Sequence, residues 1–594
     1  MVIEELVQCA ADLQKAGKTP VAIRLYQDWL KAPAPGLSHV ARFNLAVLLS
    51  DSGLPAEAEH QLRQAIEAYP NFSQAYFNLG LAVERQGRKD EALGHWLKVV
   101  TMADLANKEQ RGVAIGALNQ IGRLQEQLKN YPQAENALKQ SLLLDPKQPD
   151  ALQHWIHLRQ KQCKWPIYEP FGEITEYDML MASSPLAMLA LSDDPMRQLL
   201  AAHSFVSRKF NYPVAKDRPG PYAHDRIRLG YVSGDLCTHA VGLLLPDFLA
   251  AHDKTRFELY AYDFSPEDSS STRERLKASF DHFIDIRNMR DADVANLIRT
   301  HEIDVLLDMH GLSSGARPEI FASRPAPLQI TWLGYIGTTT FPWIDYVVAD
   351  EHSLPGALTP FYSEKVIRLP GSFLPGRAST GMPLQATPLA LAPTLSVPSG
   401  ASLVATPATA PSTPVIGCLN NIYKVKPEML TIWGQIVLAH PTVELLLLDD
   451  NATATENIRG WLLNMGVPAH RIRFYTRGPY AQYRETMRSL TVYLDTYPYN
   501  AGSTARDVMD SGVPMVTLSG KTFVSRMCGS VLKEYGRPDL VVESYEAYKA
   551  RVLTLLEEAA SPQATAPRLP PVALVHEAHR CRALEQSVLT LLGR

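Results

Sequence analysis

Residues 492–517 read VYLDTYPYNAGSTARDVMDSGVPMVT. The opening VYL is apolar and β-prone, and YNAGST is a run of small and polar residues. STARDVMD carries a helical pattern, and VPMVT returns to an apolar strand. Strand, tight loop, helix and strand in one short span predict a parallel βαβ unit. The first strand is expected to end near Asp495 and the helix to begin at Ser503 or Thr504. Small loop residues let a ligand approach the backbone closely. Free N–H groups at a helix start, the helix dipole and two hydroxyls together make an anion site. The plain alternative is a Ser/Thr helix cap. Asp507, one turn into the helix, could accept sugar hydroxyls or simply complement the helix N-terminus.

The same texture extends on both sides. A unit over 415–574 starts with VIGCLNNIYKVKPEM, in which Lys424 and Lys426 follow a strand and a loop. A lysine there faces the ligand end of a parallel sheet and can neutralise a diphosphate; a lone lysine is otherwise a solvated charge. Upstream, 226–370 also alternates strand and helix, from RIRLGYVSGD to EKVIRLPGS. Two tandem doubly wound α/β halves imply a cleft between them, with ligands beyond the carboxyl ends of the strands. In the first half, GDLCTHAVG puts His239 between a strand and a helix, as a proton-transfer group or a packed, capping histidine. LLDMHG offers Asp308 and His310 as rival base or orienting groups. GYIGTTTF, with Gly334, Gly337, Thr338 and Thr339, could bring backbone donors against a ligand. The acid pair Asp291 and Asp293 follows RNMR rather than an apolar strand, so a helix-start role is expected instead of a metal site. HExxH is missing too, and Walker and strand-borne GxGxxG patterns are likewise missing, which argues against an ATPase or a dehydrogenase.

Residues 371–414 are rich in Ala, Pro, Thr and Ser and nearly uncharged, so a linker is expected there. Residues 575–594 close the chain as a helix, and 165–225 reads as a helical connector. Ahead of it, 1–164 repeats. Asn44 and Asn78 lie 34 residues apart, as do Gly53 and Gly87, and Ala58 and Ala92. Asn119 follows Asn78 by 41, which puts about seven inserted residues near LANKEQR; a weaker copy comes first. A 34-residue period with two amphipathic helices per unit is the tetratricopeptide signature. Such units bury their apolar faces only by stacking, which leaves a concave groove suited to protein. The repeated asparagines either fix the helix pairs or bind a peptide backbone.

Bulk properties agree. The chain has 594 residues, 46% hydrophobic and 20% charged, so several soluble domains are expected. A net charge of −4 gives no case for nucleic acid as the main partner. Six scattered cysteines without a CxxC pair suggest a reducing, cytoplasmic setting and no zinc site. The amphipathic, acidic start is unlike a signal peptide, and no apolar run is long enough to predict a membrane span.

Taken together, the repeats, RLGYVSGDLCTHAVG, RPAPLQITWLGYIGTT, NNIYKVKPEMLTIWGQIV and YLDTYPYNAGSTARDVMDSGVPMVTLSG resemble the O-GlcNAc transferase/SPINDLY family, nearest a bacterial, Xanthomonas-type member. The resemblance spans nearly the whole chain. It implies a tetratricopeptide superhelix followed by a GT-B glycosyltransferase. It also implies inverting, metal-independent transfer of GlcNAc from UDP-GlcNAc to protein Ser/Thr, with no cofactor beyond the donor. By position, His239 matches a proposed base or substrate-positioning histidine, with Asp308 its rival. Lys424 matches the lysine on the UDP diphosphate, and Tyr423 its neighbour. Ser503 and Thr504 match hydroxyls at the phosphates, with Asn500 in the same segment. Asp507 matches the carboxylate on the ribose, and Gly337 and Thr338 fall in a loop near the donor. There are departures: Gly502 replaces a histidine of the animal enzymes, Tyr483 replaces a histidine that stacks on uracil, and Asn421 replaces a glutamine. Two alternatives remain: a SPINDLY-like O-fucosyltransferase using GDP-fucose, and a repeat adaptor whose transferase half has decayed.

Overall fold

The computed structural model describes residues 1–31, 37–215, 217–376, 413–560 and 577–594. Of the expected linker over 371–414, positions 377–412 lie outside the described residues, as do positions 561–576, where the second half was expected to give way to the C-terminal helix.

The chain divides into two compact units, Met1–Ser183 and Ser184–Arg594. In the first, antiparallel helix pairs follow the repeat: Ile3–Lys15 with Thr19–Lys31, Ser38–Asp51 with Pro55–Ala68, Ser73–Arg85 with Lys89–Met102, and Lys108–Gln127 with Tyr131–Leu144. Periodic alanines such as Ala58, Ala92 and Ala134 are fully buried, because only a small side chain fits where paired helices cross. Gly80 shows the same constraint, since a Cβ there would lie 2.3 Å from the Trp96 ring. The seven inserted residues do not form a longer loop. They lengthen a helix, for Lys108–Gln127 has 20 residues against 13 in Ser73–Arg85, and Asn107 caps the new start by accepting from the Glu109 and Gln110 N–H groups. The stretch expected as one connector over 165–225 splits at the unit boundary. Helix Glu176–Ala182 ends the first unit, while Pro185–Leu191 and Pro195–Lys209 open the second.

The second unit holds two sheets. Strands β1 (Ile227–Ser233), β2 (Phe257–Asp263), β3 (His282–Asp285), β4 (Val305–Asp308), β5 (Leu328–Thr331), β6 (Tyr346–Asp350) and β7 (Lys365–Leu369) pair in the order β3-β2-β1-β4-β5-β6-β7. Strands β8 (Val415–Cys418), β9 (Glu444–Asp449), β10 (Ile472–Thr476), β11 (Val492–Leu494), β12 (Met515–Leu518) and β13 (Val541–Val542) pair in the order β10-β9-β8-β11-β12-β13. Pairing is parallel throughout. Central strands such as β4, β5 and β12 are buried along their whole length, as a sheet covered on both faces requires. This is the tetratricopeptide-plus-GT-B architecture that the resemblance implied. In each sheet the order reverses once, between β1 and β4 and between β8 and β11, and ligands of such sheets gather beyond the strand ends at those points.

The halves are joined by specific contacts. Arg526 donates to the His352 carbonyl at 2.7 Å, and Ser530 to the Asp350 carboxylate at 2.6 Å. The C-terminal helix Glu577–Leu592 returns to the first half, where His252 Nδ1 and Glu585 Oε1 are 2.9 Å apart. Together with Cys581 these form the only His/Cys/acid group with metal-ligand spacing among the described residues, and it lies in the packed core beneath that helix. Among the described residues no helix is long and apolar enough to cross a membrane.

Candidate active site

The switch point of the second sheet supplies one wall. After β8 the chain makes a single 3-10 turn, Ile422–Lys424, before Pro427 starts the next helix. That turn brings the Lys424 ammonium 3.7 Å from the centroid of the Tyr499 ring and 3.4 Å from the Asn500 carbonyl, to which it donates. Burial pushes the lysine down to about 8, offset in part by the Asp495 carboxylate and Cys418. No carboxylate pairs with it directly among the described residues, so the charge is held by a π face and a dipole and has capacity for an anion.

Asp495 builds the loop. It is fully buried one residue beyond β11, and burial holds its carboxyl above the usual range. Its oxygens accept from the Thr496 and Ala501 N–H groups, both at 2.8 Å, from Asn420 Nδ2 at 3.0 Å and from the Thr517 hydroxyl at 2.6 Å. These bonds fold 495–501 tightly and aim the following helix. Asn500 is also fully buried; its Nδ2 donates to the Thr496 carbonyl at 2.9 Å, and its Oδ1 has no partner among the described residues.

The helix then starts at Ser503, with Gly502 as its cap. Ser503 and Thr504 therefore occupy the first two helical positions, and no side chain caps the end. The Gly502 carbonyl takes the Ala505 N–H at 2.9 Å. Among the described residues nothing bonds the Ser503 and Thr504 N–H groups or hydroxyls. The plain capping alternative is thus not what the hydroxyls do, and four donors at a helix N-terminus remain open. A Cβ at Gly502 would come within 3.0 Å of Met527 Sδ, so a larger residue there requires Met527 to move. Arg506 anchors the helix from behind through Glu534 at 3.0 Å and the Leu374 carbonyl at 2.5 Å.

The other residues singled out in this half divide. Tyr423 packs edge-on against Tyr499, with centroids 6.1 Å apart, beside Lys424. Asn421 is exposed at the start of the turn; its neighbour Asn420 is the buried one, bonded to Asp495, Thr496 and Tyr493. Asp507 is buried and accepts from the Tyr480 hydroxyl at 2.8 Å and from Arg484 at 3.3 Å. Tyr483 lies on the same helix, Tyr480–Arg488, its ring 6.0 Å from that of Tyr480.

The first sheet supplies the opposite wall. His239 caps the helix Ala240–Leu244, which packs on helix Ser503–Asp510, so the two strand-end segments share one cleft. The ring is half exposed, and its Nδ1 lies 3.4 Å both from the Val241 N–H and from Asp235 Oδ2. These partners impose opposite tautomers. Accepting from Val241 puts the proton on Nε2, whereas donating to Asp235 leaves Nε2 as an acceptor. His310 is committed. Its Nε2 accepts from the Gly234 N–H at 2.8 Å, so its Nδ1–H donates to Ser313 at 3.0 Å, and it is not a free base. Asp308 is buried and accepts from the His310 and Gly311 N–H groups at 2.9 and 3.1 Å; burial raises its carboxyl. Asp308 therefore shapes its loop. Gly337 and Thr338 follow β5. A Cβ at Gly337 would sit 3.0 Å from the Tyr335 ring, and the Thr338 hydroxyl donates to Glu364 at 2.7 Å. Asp291 and Asp293 begin the helix Asp291–Thr300 and pair with Arg317 and Arg290, away from these loops.

Sequence reasoning passes over Asn420, Asp235 and Glu364, and it reads Asp495 only as a strand end. A single acid closing an apolar strand, as in VYLD, is the available signal for Asp495.

Comparison with known proteins gives a consistent picture. The sequence profile described as Glycosyl transferase family 41 matches residues 198–386 and 395–565, and tetratricopeptide profiles match 43–106 and 115–148. A protein of Arabidopsis thaliana named probable UDP-N-acetylglucosamine–peptide N-acetylglucosaminyltransferase SEC is 27% identical over 437 residues, covering 67% of this chain and 42% of its own. A rice protein of the same description, SPINDLY, is 27% identical over 369 residues, covering 60% of this chain and 38% of its own. The chain thus spans about two fifths of the length of these curated relatives. A solved structure of a mutant O-GlcNAc transferase from Thermobaculum terrenum superposes with a TM-score of 0.61 at 25% identity, covering 93% of this chain and 97% of that one.

Proposed function

The chain belongs to glycosyl transferase family 41, and on that premise we propose that it moves GlcNAc from UDP-GlcNAc to Ser or Thr hydroxyls of proteins, with inversion and without a resident metal. The observation that carries the reading is the open helix start at Ser503 and Thr504 beside the under-compensated Lys424. A diphosphate there would meet two N–H groups, two hydroxyls and an ammonium. As the bond from C1 to the β-phosphate oxygen breaks, negative charge grows on that oxygen, and preorganised donors stabilise it where it develops. The acceptor hydroxyl attacks from the opposite face, and its proton leaves toward the His239–Asp308 wall, directly or through water. Asp507 would receive the ribose hydroxyls, which compete with Tyr480 for the carboxylate, and Tyr483 would offer a face to the base.

The repeat unit suits acceptor binding. It holds an open pocket of about 330 Å³ lined by Phe43, Phe77, Asn78, Glu109, Val113 and Gly116 among others. The repeated asparagines are not equivalent: Asn119 donates to Gln148 at 2.8 Å, whereas Asn78 lines the pocket.

Calorimetry with UDP-GlcNAc and GDP-fucose, followed by transfer to an acceptor protein, tests the reading. Binding and transfer with UDP-GlcNAc alone support it. Preference for GDP-fucose shifts the donor, and no binding of either with an intact fold points to an adaptor.

A further inference from the structure

Glu364 stands just before β7 and is 4% exposed. Among the described residues it forms no ion pair, and its bonding partners all lie in one loop. Its Oε2 accepts from the Thr338 hydroxyl at 2.7 Å; its Oε1 accepts from the Thr339 N–H at 2.7 Å and the Thr339 hydroxyl at 2.5 Å. A buried carboxylate without a cation is costly, so it persists only where its bonds are well made. Both hydroxyls also accept. Thr338 takes the Ser363 N–H at 3.2 Å and the Thr340 N–H at 3.4 Å, and Thr339 takes the Phe341 N–H at 3.3 Å. The loop is thereby laced to the segment entering β7.

What is laced is strained. Leu333 and Thr340, at the two ends of the loop, have φ of 78° and 54°. The left-handed region is unfavourable for any side chain and worst for a β-branched one. The Thr340 hydroxyl is buried with no partner among the described residues. Such strain survives only where surrounding contacts over-determine it, and it concentrates at functional sites. The loop also has nowhere to retreat. A Cβ at Gly334 would lie 2.0 Å from the Met309 carbonyl oxygen, so its backbone rests directly on the segment after Asp308. On its other side, Thr338 shares a small crevice with Tyr362, Thr522 and Phe523, the last two from the donor half. The loop is therefore wedged between the acceptor-side acid and the donor half.

We infer that Glu364 is a positioning residue for the transfer: it clamps the strained 333–340 loop so that the Gly337 backbone and the Asp308 segment keep their places against the bound donor sugar. This rests on the reading of the cleft as a sugar-transfer site. Its action is on turnover rather than on capture of the nucleotide, because the diphosphate elements lie on the opposite wall.

The test uses the full chain, with E364Q, E364D and E364A compared for kcat with UDP-GlcNAc, for UDP affinity by calorimetry, and for amide exchange across 333–340. Gln keeps the reach and its oxygen still serves Thr339, but its amide meets a Thr338 oxygen that already accepts two N–H groups, so only the Thr339 half of the clamp remains; Asp keeps the charge but falls short. E364Q, which keeps the Thr339 half of the clamp, should lose less kcat than E364A and E364D, which lose about tenfold or more, since small misplacements at a reacting centre are that costly. UDP affinity should stay within about threefold in all three, and loop amides should exchange faster in E364A. A folded E364A with normal kcat, or one whose loss is entirely in UDP affinity, overturns the assignment. If E364A does not fold, Thr338→Val serves in its place, with the same split between kcat and UDP affinity expected. If the unsubstituted chain transfers no sugar, the functional reading fails by itself. The exchange data still judge the clamp, and unchanged loop protection in E364A or Thr338→Val refutes it.

Discussion

Replacing Lys424 by Ala removes the ammonium that lies 3.7 Å from the Tyr499 ring and 3.4 Å from the Asn500 carbonyl. In the free protein this loses the cation–π contact, about 2 kcal/mol for a desolvated site, and one long hydrogen bond to the Asn500 carbonyl. The site also sheds a charge that burial disfavours, so the fold should tolerate the change. In the proposed donor complex the lysine would make a charge-assisted bond to the diphosphate, worth about 1.5–3 kcal/mol net. At about 1.4 kcal/mol per factor of ten, kcat/KM should fall roughly 10- to 150-fold. If the bond strengthens as the leaving group gains charge, most of the loss appears in kcat. The native lysine adds a pH signature. Its value near 8 means donor affinity should decline as pH rises through 8 and the ammonium is lost. Stability of the free protein runs the other way. The folded-state value lies below the ordinary 10.5, so between about 8 and 10.5 the unfolded chain binds more protons, and this group's contribution to stability rises with pH. Initial rates and UDP calorimetry from about pH 6.5 to 9.5, on native protein and Lys424→Ala, bracket that titration and read both effects. A folded variant with unchanged kcat/KM, or native donor affinity flat across pH 8, refutes the reasoning.

Other perturbations read other parts of the site. Tyr480→Phe removes one donor from Asp507 and should tighten UDP binding by about tenfold, the low end for a hydrogen bond to a charged group, whereas Asp507→Asn should weaken it; calorimetry on both decides whether this carboxylate meets the ribose. If Asp235 acts through His239, the kcat losses of Asp235→Asn and His239→Ala should not add in the double variant; simple additivity, or no loss from either, leaves His239 as a helix cap. Glu534 is 1% exposed by side chain and bridges the fully buried Arg506 and Arg580. Glu534→Ala should destabilise the second unit by about 3–5 kcal/mol in urea unfolding, because two buried guanidiniums lose their shared partner. Burial raises that carboxyl, but the two arginines outweigh it and hold it below its ordinary value, so its stabilisation should fade as pH falls below the usual carboxylate range.

The fold is legible in the sequence because its signals are periodic. The 34-residue spacing and the strand–loop–helix texture repeat often enough to survive local noise, and the YNAGST loop falls where strand and helix propensities meet. The site is legible only where one segment carries the chemistry. Ser503, Thr504 and Lys424 each sit at a strand's end or a helix's start, and sequence order alone puts them there. Asn420 and Glu364 give no such cue. Asn420 matters because β8 and β11 are neighbours, which brings it to Asp495, 75 positions away. Glu364 matters because its strand's entry lies beside the loop after β5. Both depend on sheet order, which no local pattern encodes. That Asn420 turns inward while Asn421 beside it stays exposed is likewise set by the fold and not by residue type.

The most direct measurement is a crystal structure with UDP bound. The account predicts diphosphate oxygens within hydrogen-bond distance of the Ser503 and Thr504 donors and of Lys424 Nζ, with the ribose at Asp507. A diphosphate bound elsewhere in the cleft, leaving that helix start open, would contradict it.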